Sequence, residues 1–151
     1  ELTARGLTLS VAESCTGGLL SKRITDVAGA SKFYKGGACT YCNEIKRKIL
    51  GVSKETLDRY TAVSVQTAEE MARGIAQVYG TDIGIGITGY AGPDGGEDGT
   101  PVGTIHIGIC FQGKAQVRTI CSPRGRENAR RDAANHALDM ILRAAKKGAN
   151  G

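Results

Sequence analysis

The segment AESCTGG, residues 12–18, marks a change of backbone period. Before it, Leu7, Leu9 and Val11 alternate with Thr8 and Ser10, the period-two pattern of a strand that ends at Ala12 or Glu13. After it, Leu19, Leu20 and Ile24 recur at helical spacing, with Lys22 and Arg23 turned outward and Thr16 placed to cap the helix. AESCTGG is therefore a strand-to-helix junction. A chain that moves from strand to helix within a few residues is building an α/β unit.

The same alternation continues downstream. VAGASKFYKGG (27–37) reads as a loop and ACTYC (38–42) as a second strand. Asn43 is a good cap for EIKRKIL, whose Ile45, Ile49 and Leu50 form the expected buried stripe, and Gly51 stops that helix. Ser53 caps a short turn of helix, KETLDRY. Ser64 opens a longer helix with Ala68, Met71, Ala72, Ile75 and Val78 on one face, ended by Gly80. DIGIGIT (82–88) is a third strand, followed by the glycine-rich loop GYAGPDGGEDGTP (89–101). VGTIHIGICF and AQVRTIC, joined by QGK, form a hairpin. A final helix runs from about Arg126 to Lys146, with Ala134, Ala137, Leu138, Ile141 and Leu142 inward. The sum is a three-layer α/β/α sandwich with a mixed, mostly parallel sheet and one antiparallel strand. In such sheets ligands bind outside the carboxyl ends of the strands, where both AESCTGG and TGYAGP fall.

The totals agree with one domain over 1–151. Its 22 glycines are scattered, which argues against collagen-like or low-complexity chains and for tight turns and close backbone approaches. The five cysteines, at 15, 39, 42, 110 and 121, are an odd number, and several sit in apolar runs. They fit a reduced, cytoplasmic compartment. No apolar run approaches the length of a membrane span. A net charge of +5 suits an anionic partner, whether nucleic acid or a phosphorylated metabolite, and equally a solvated face.

Ser14 is a candidate hydroxyl nucleophile, with amide N–H groups at Cys15, Thr16, Gly17 and Gly18 available for an oxyanion or phosphate near a helix start. A local role, in which Ser14 and Thr16 only satisfy the backbone there, fits the residues equally well. Cys15 is the rival nucleophile. His106, inside an apolar strand, and His136, on the last helix, are best read as structural. A lysine can act as base instead if its site lowers its pKa; moving it from about 10.4 to about 7.5 costs about 4 kcal/mol. Lys35, Lys46 and Lys48 are all placed for this by position. Cys39 and Cys42 spell C-x-x-C but point to opposite faces of a strand, and no second pair supports a zinc site. GIGITG (84–89) matches G-x-G-x-x-G literally, yet its glycines lie within the strand and no helix follows, so no dinucleotide site is expected. Arg126 and Arg130 continue the core-facing stripe of the last helix toward its start. An anionic ligand or internal pairs with Glu127 or Asp132 would satisfy them.

These segments together resemble the CinA carboxy-terminal domain family. AESCTGGLLSKRITDVAGASKFYKGG is similar to its opening motif, and TYCNEIKRKILGV to its T-Y-S-N-E-x-K…L-G-V segment. AVSVQTAEEMARG, ITGYAGPDGG…PVGT and RENARRDAANHAL follow in family order, so the likeness covers about Leu7 to Ile141. The resemblance implies an anticodon-binding-domain-like fold, self-association with a dimer favoured, and a cofactor-free, metal-free hydrolysis of nicotinamide mononucleotide to nicotinate mononucleotide and ammonia. Carried over by motif, Ser14 is the nucleophile, Lys46 the base and Tyr41 the residue that steers them. Amides at 15–18 hold the oxyanion. Thr88, Gly89, Arg126 and Arg130 bind ribose and phosphate. An expected alternative is a nucleotide-sensing or partner-binding module of the same fold without turnover. Nucleic acid is a weaker expectation, because aromatics are few. A further amino-terminal domain in the full gene product is also expected. Three departures stand out: Cys42 for the family's serine, Tyr90 for a small aliphatic residue, and SPRGRE for P-G-D-R-E.

Overall fold

The computed structural model describes residues 1–148, so residues 149–151 of the expected domain lie outside the described residues. A short helix α1 (Leu2–Arg5) leads into β1 (Leu9–Glu13), α2 (Leu19–Thr25) and β2 (Tyr34–Cys39). The helices α3 (Asn43–Leu50), α4 (Lys54–Tyr60) and α5 (Val65–Tyr79) precede β3 (Ile83–Gly89). The hairpin β4 (Thr104–Phe111) and β5 (Lys114–Cys121) and the long α6 (Arg126–Lys147) complete the order.

The five strands form one sheet in the order β2-β1-β3-β4-β5. β1 pairs in parallel with β2 and β3, while β4 is antiparallel to both β3 and β5. Four strands therefore share one direction and β4 alone opposes them, as the sequence pattern predicts. The hairpin turn is Gln112–Gly113, both at positive φ, the conformation a tight two-residue connection requires. Helices α2 and α6 cover one face of the sheet, and α5, backed by α3 and α4, covers the other.

The two faces are built differently. Ile83, Ile85, Ile87, Ile105, Ile107 and Ile109 pack under Leu20, Ile24 and the alanine stripe of α6. On the opposite face the alternate positions of the same strands include Gly84, Gly86 and Gly108, and α5 lies directly on their backbone. A Cβ at Gly84 would stand 2.2 Å from the Ala72 carbonyl oxygen, and one at Gly108 would stand 2.4 Å from that of Ala68. The G-I-G-I alternation thus sets two different helix-to-sheet distances with one strand.

Several local expectations shift. β2 begins at Tyr34, not at residue 38. Gly36 and Gly37 hide it, since a Cβ at Gly37 would lie 2.7 Å from the Val11 carbonyl oxygen, and the register slips by one residue at Lys35. Thr40–Cys42 consequently follow the strand, and Cys39 and Cys42 are both exposed free thiols. The N-cap of α2 is Gly18 and that of α3 is Cys42, neither with a side-chain cap, in place of Thr16 and Asn43. Ser53 and Ser64 do cap, accepting from the N–H groups of Thr56 and Thr67. Val78 and Leu142 face solvent, because the apolar arcs of α5 and α6 are narrower than their composition suggests. Among the described residues no helix is long and apolar enough to cross a membrane.

Candidate active site

The carboxyl ends of β1, β2 and β3 lie side by side, with Glu13 in register with both Cys39 and Ile87. The chain leaves that edge at Ser14, Thr40 and Tyr90. The Ser14 N–H still donates to the Ile87 carbonyl (3.0 Å) and the Thr40 N–H to that of Glu13 (2.8 Å), so the sheet fixes the start of each segment. A cavity of about 250 Å³ opens there, lined among others by Ser14, Tyr41, Lys46, Thr88, Tyr90 and Arg126.

Lys46 is the decisive residue. The expected stripe of α3 has Ile49 inward, but the structure exposes Ile49 and buries Lys46 to 1% with Leu50 one turn later. Helical side chains lean toward the helix start, so Lys46 reaches back to the segment that precedes α3. Its Nζ lies 2.7 Å from the Thr40 carbonyl oxygen, 3.3 Å from that of Tyr41 and 3.1 Å from Ser14 Oγ. Among the described residues no carboxylate stands within ion-pair distance of it. Burial holds its pKa below the usual lysine value. The amine donates to both carbonyls and to Ser14 Oγ; in its uncharged form it would keep N–H groups for the carbonyls and offer its lone pair to the Ser14 O–H. Lys35 and Lys48, the other positional candidates, are exposed.

Cys15 is buried, and that burial pushes its thiol up to about 11, which removes it as a ready thiolate. Among the described residues the N–H groups of Cys15, Thr16 and Gly18 have no acceptor, while that of Gly17 is taken by the Ser14 carbonyl. The Thr16 side chain is fully buried, and its hydroxyl lacks a partner among the described residues. The start of α2 is already occupied by an anion. The buried Glu13 carboxylate accepts from the N–H groups of Leu20 (2.8 Å) and Ser21 (3.0 Å) and from the Ser21 hydroxyl (2.7 Å). Sequence reasoning missed Glu13. Its signal is a carboxylate at a strand end facing the orphan donors of the next helix.

The remaining candidates separate. Arg130 donates to the carbonyls of Cys15 (3.2 Å) and Thr16 (2.9 Å), bracing the Ser14 turn from behind, and does not line the cavity. Arg126 crosses the mouth, donating to the Gly92 carbonyl (2.8 Å) and the Tyr41 hydroxyl (3.3 Å). Glu127 and Asp132 pair instead with Arg131 and Arg124. The Tyr41 side chain is 63% exposed at that mouth, and Tyr41 meets Lys46 through its backbone carbonyl. The buried Thr88 hydroxyl donates to the Ala62 carbonyl (2.6 Å), tying β3 to the segment before α5, and Gly89 lines the cavity. His106 bonds Thr119 across the hairpin on the α5 side of the sheet, and His136 of α6 accepts from Arg118 on the other side.

Known proteins share this arrangement of elements. Over 95% of its length the chain is 50% identical to a CinA-like protein of Kosmotoga olearia, of which it covers 35%. It thus spans about a third of the length of the curated relatives it matches. Solved structures of shorter proteins superpose along most of their length. The competence-damaged protein (CinA) superfamily protein from Escherichia coli does so at a TM-score of 0.91, with 40% identity over 93% of this chain and 82% of that one. A competence or damage-inducible protein from Enterobacter asburiae does so at 0.92, with 42% identity over 95% of this chain and 90% of that one. Residues 1–145 match the CinA C-terminal domain, and the chain belongs to that family.

Proposed function

We propose that this domain is a serine–lysine amidohydrolase that converts nicotinamide mononucleotide to nicotinate mononucleotide and ammonia. The observation that carries the reading is the buried Lys46 amine, unpaired by any carboxylate among the described residues, 3.1 Å from Ser14 Oγ. Ser14 attacks the carboxamide carbon as its proton passes to Lys46. The free N–H groups of Cys15, Thr16 and Gly18 are the donors available to the tetrahedral oxyanion. Lys46 then gives its proton to the departing nitrogen, which leaves as ammonia. Water attacks the resulting ester while Lys46 takes its proton, and collapse returns that proton to Ser14 Oγ and frees the carboxylate. Arg126 is the cation at the mouth that exchanges its Gly92 and Tyr41 contacts for the substrate phosphate. Arg130 acts indirectly, by holding the turn.

The test is ammonia release from nicotinamide mononucleotide. Ser14→Ala should lower kcat by about a thousandfold or more, and Lys46→Ala by about a hundred- to ten-thousandfold. In the wild type kcat/KM should rise with pH through the lowered Lys46 pKa, because the uncharged amine is the active form. Tight nucleotide binding without turnover in the wild type would instead favour the sensing module.

A further inference from the structure

The cavity poses an electrostatic problem that the catalytic pair does not solve. Resting on the reading above, the ring that must approach Ser14 is a pyridinium, a permanent cation. The basic side chains lining the cavity are Lys46 and Arg126, neither of which attracts a cation. Three lining groups have the right character: the rings of Tyr41 and Tyr90 and the carboxylate of Asp94. Tyr41 is the more exposed of the two rings, and its only side-chain hydrogen bond among the described residues is the one its hydroxyl accepts from Arg126, which the bound phosphate would break.

Tyr90 is differently placed. Its backbone is clamped on both sides, its N–H donating to the Thr104 carbonyl (3.0 Å) and its carbonyl accepting from Gly103 (2.7 Å). Gly96 of the glycine-rich loop lies against its ring so closely that a Cβ there would stand 2.9 Å from Cε2 and Cζ. The ring is half-buried, and its hydroxyl has no partner among the described residues. Asp94, four residues on in the same loop, has neither an ion-pair nor a hydrogen-bond partner among the described residues. A fixed aromatic ring and a free carboxylate on one wall are the two elements that recognise quaternary nitrogen cations in water.

We infer that Tyr90 and Asp94 form a cation-recognising wall that selects substrates whose carboxamide sits on a positively charged pyridinium ring over uncharged rings of the same shape. Tyr90 supplies the face that holds the ring against Ser14, and Asp94 supplies a longer-range attraction at the mouth. Both are specificity-determining residues and take no part in proton transfer.

The experiment compares nicotinamide mononucleotide with its reduced, uncharged dihydropyridine form, which keeps the carboxamide, ribose and phosphate. Dissociation constants are measured by calorimetry in a Ser14→Ala background, where no turnover intervenes. The charged form should bind more tightly. Tyr90→Leu should weaken it by about 3- to 30-fold while changing the reduced form less than about twofold, and Tyr90→Phe should restore the preference. Asp94→Asn should cost the charged form about two- to fivefold, and added salt should abolish that difference. Equal losses for both forms, or no loss in Tyr90→Leu, overturn the inference. A second pair of probes separates it from the proposed reaction. 1-Methylnicotinamide should bind the wild type in preference to nicotinamide, and Tyr90→Leu should remove that preference. If the wild type releases ammonia but shows no preference in either pair, the wall is refuted and the amidohydrolase stands. If it releases none and the methylated ring is still preferred, the reaction falls and the wall survives.

Discussion

The junctions that follow β1 and β2 leave the same edge of the sheet and meet through the Lys46–Ser14 side-chain hydrogen bond, yet they are stabilised in opposite ways. After β1 the charged side chains are matched: Glu13 satisfies the first turn of α2, and Arg130 donates to the carbonyls of Cys15 and Thr16. After β2 an amine is buried to 1% exposure against two carbonyls and a hydroxyl, without a countercharge among the described residues. The first junction spends its charges on rigidity. The second buries an amine without a countercharge, which lowers its pKa. In the proposed reaction, such a pairing of a matched junction with a mismatched one suits a nucleophile held still and a base whose charged form is disfavoured.

Three substitutions test that contrast. The largest effect falls on the matched side: Glu13→Ala leaves the buried Leu20 N–H and the half-buried Ser21 N–H without their acceptor and should lower stability by about 3 kcal/mol, measured by urea unfolding. A smaller loss than that of an ordinary exposed glutamate would mean that the junction is not braced by its carboxylate. On the mismatched side the sign reverses. Lys46→Met should abolish activity yet raise stability by roughly 0.5–2 kcal/mol near neutral pH. Because burial lowers the Lys46 pKa, the unfolded chain binds more protons than the folded one between the lowered value and the usual lysine value. Wild-type stability therefore rises with pH across that window, and the gap to Lys46→Met narrows as the pH climbs through it. A gap independent of pH would show that the amine is not buried at a charge cost. The smallest effect belongs to Cys15→Ala, which should change kcat by less than about threefold, since a thiol pushed up to about 11 contributes no thiolate at neutral pH. Loss of activity there would move the nucleophile to sulfur.

Much of the fold is legible in the sequence, because period-two and helical patterns alternate cleanly and punctuating serines and glycines stand where elements start and stop. What escapes is informative. The start of β2 is masked by Gly36 and Gly37, which look like a turn and are instead crowded by the Tyr79 ring and by the β1 backbone respectively. The stripe of α3 misleads because an apolar count puts Ile49 inward, whereas the helix turns Lys46 to the core. Spacing alone therefore leaves three lysines open as the base; the family resemblance points to Lys46, and the folded geometry shows its burial and its reach to Ser14. Arg126 and Arg130 look equivalent in sequence, four residues apart on one helix. One donates to the Gly92 carbonyl at the cavity mouth and the other to the Thr16 carbonyl behind the turn.

The bare glycine floor under α5 reaches further than the sheet. Ala62 and Val63, which line the cavity, lie just ahead of that helix, and Ala62 is pinned to the end of β3 through Thr88. Sheet, helix and cavity wall thus form a lever with almost no clearance at its fulcrum. A methyl group added at Gly84, Gly86 or Gly108 would act as a shim, lifting α5 and carrying the wall with it. Three positions that line no part of the cavity thus set how closely its wall can approach the sheet.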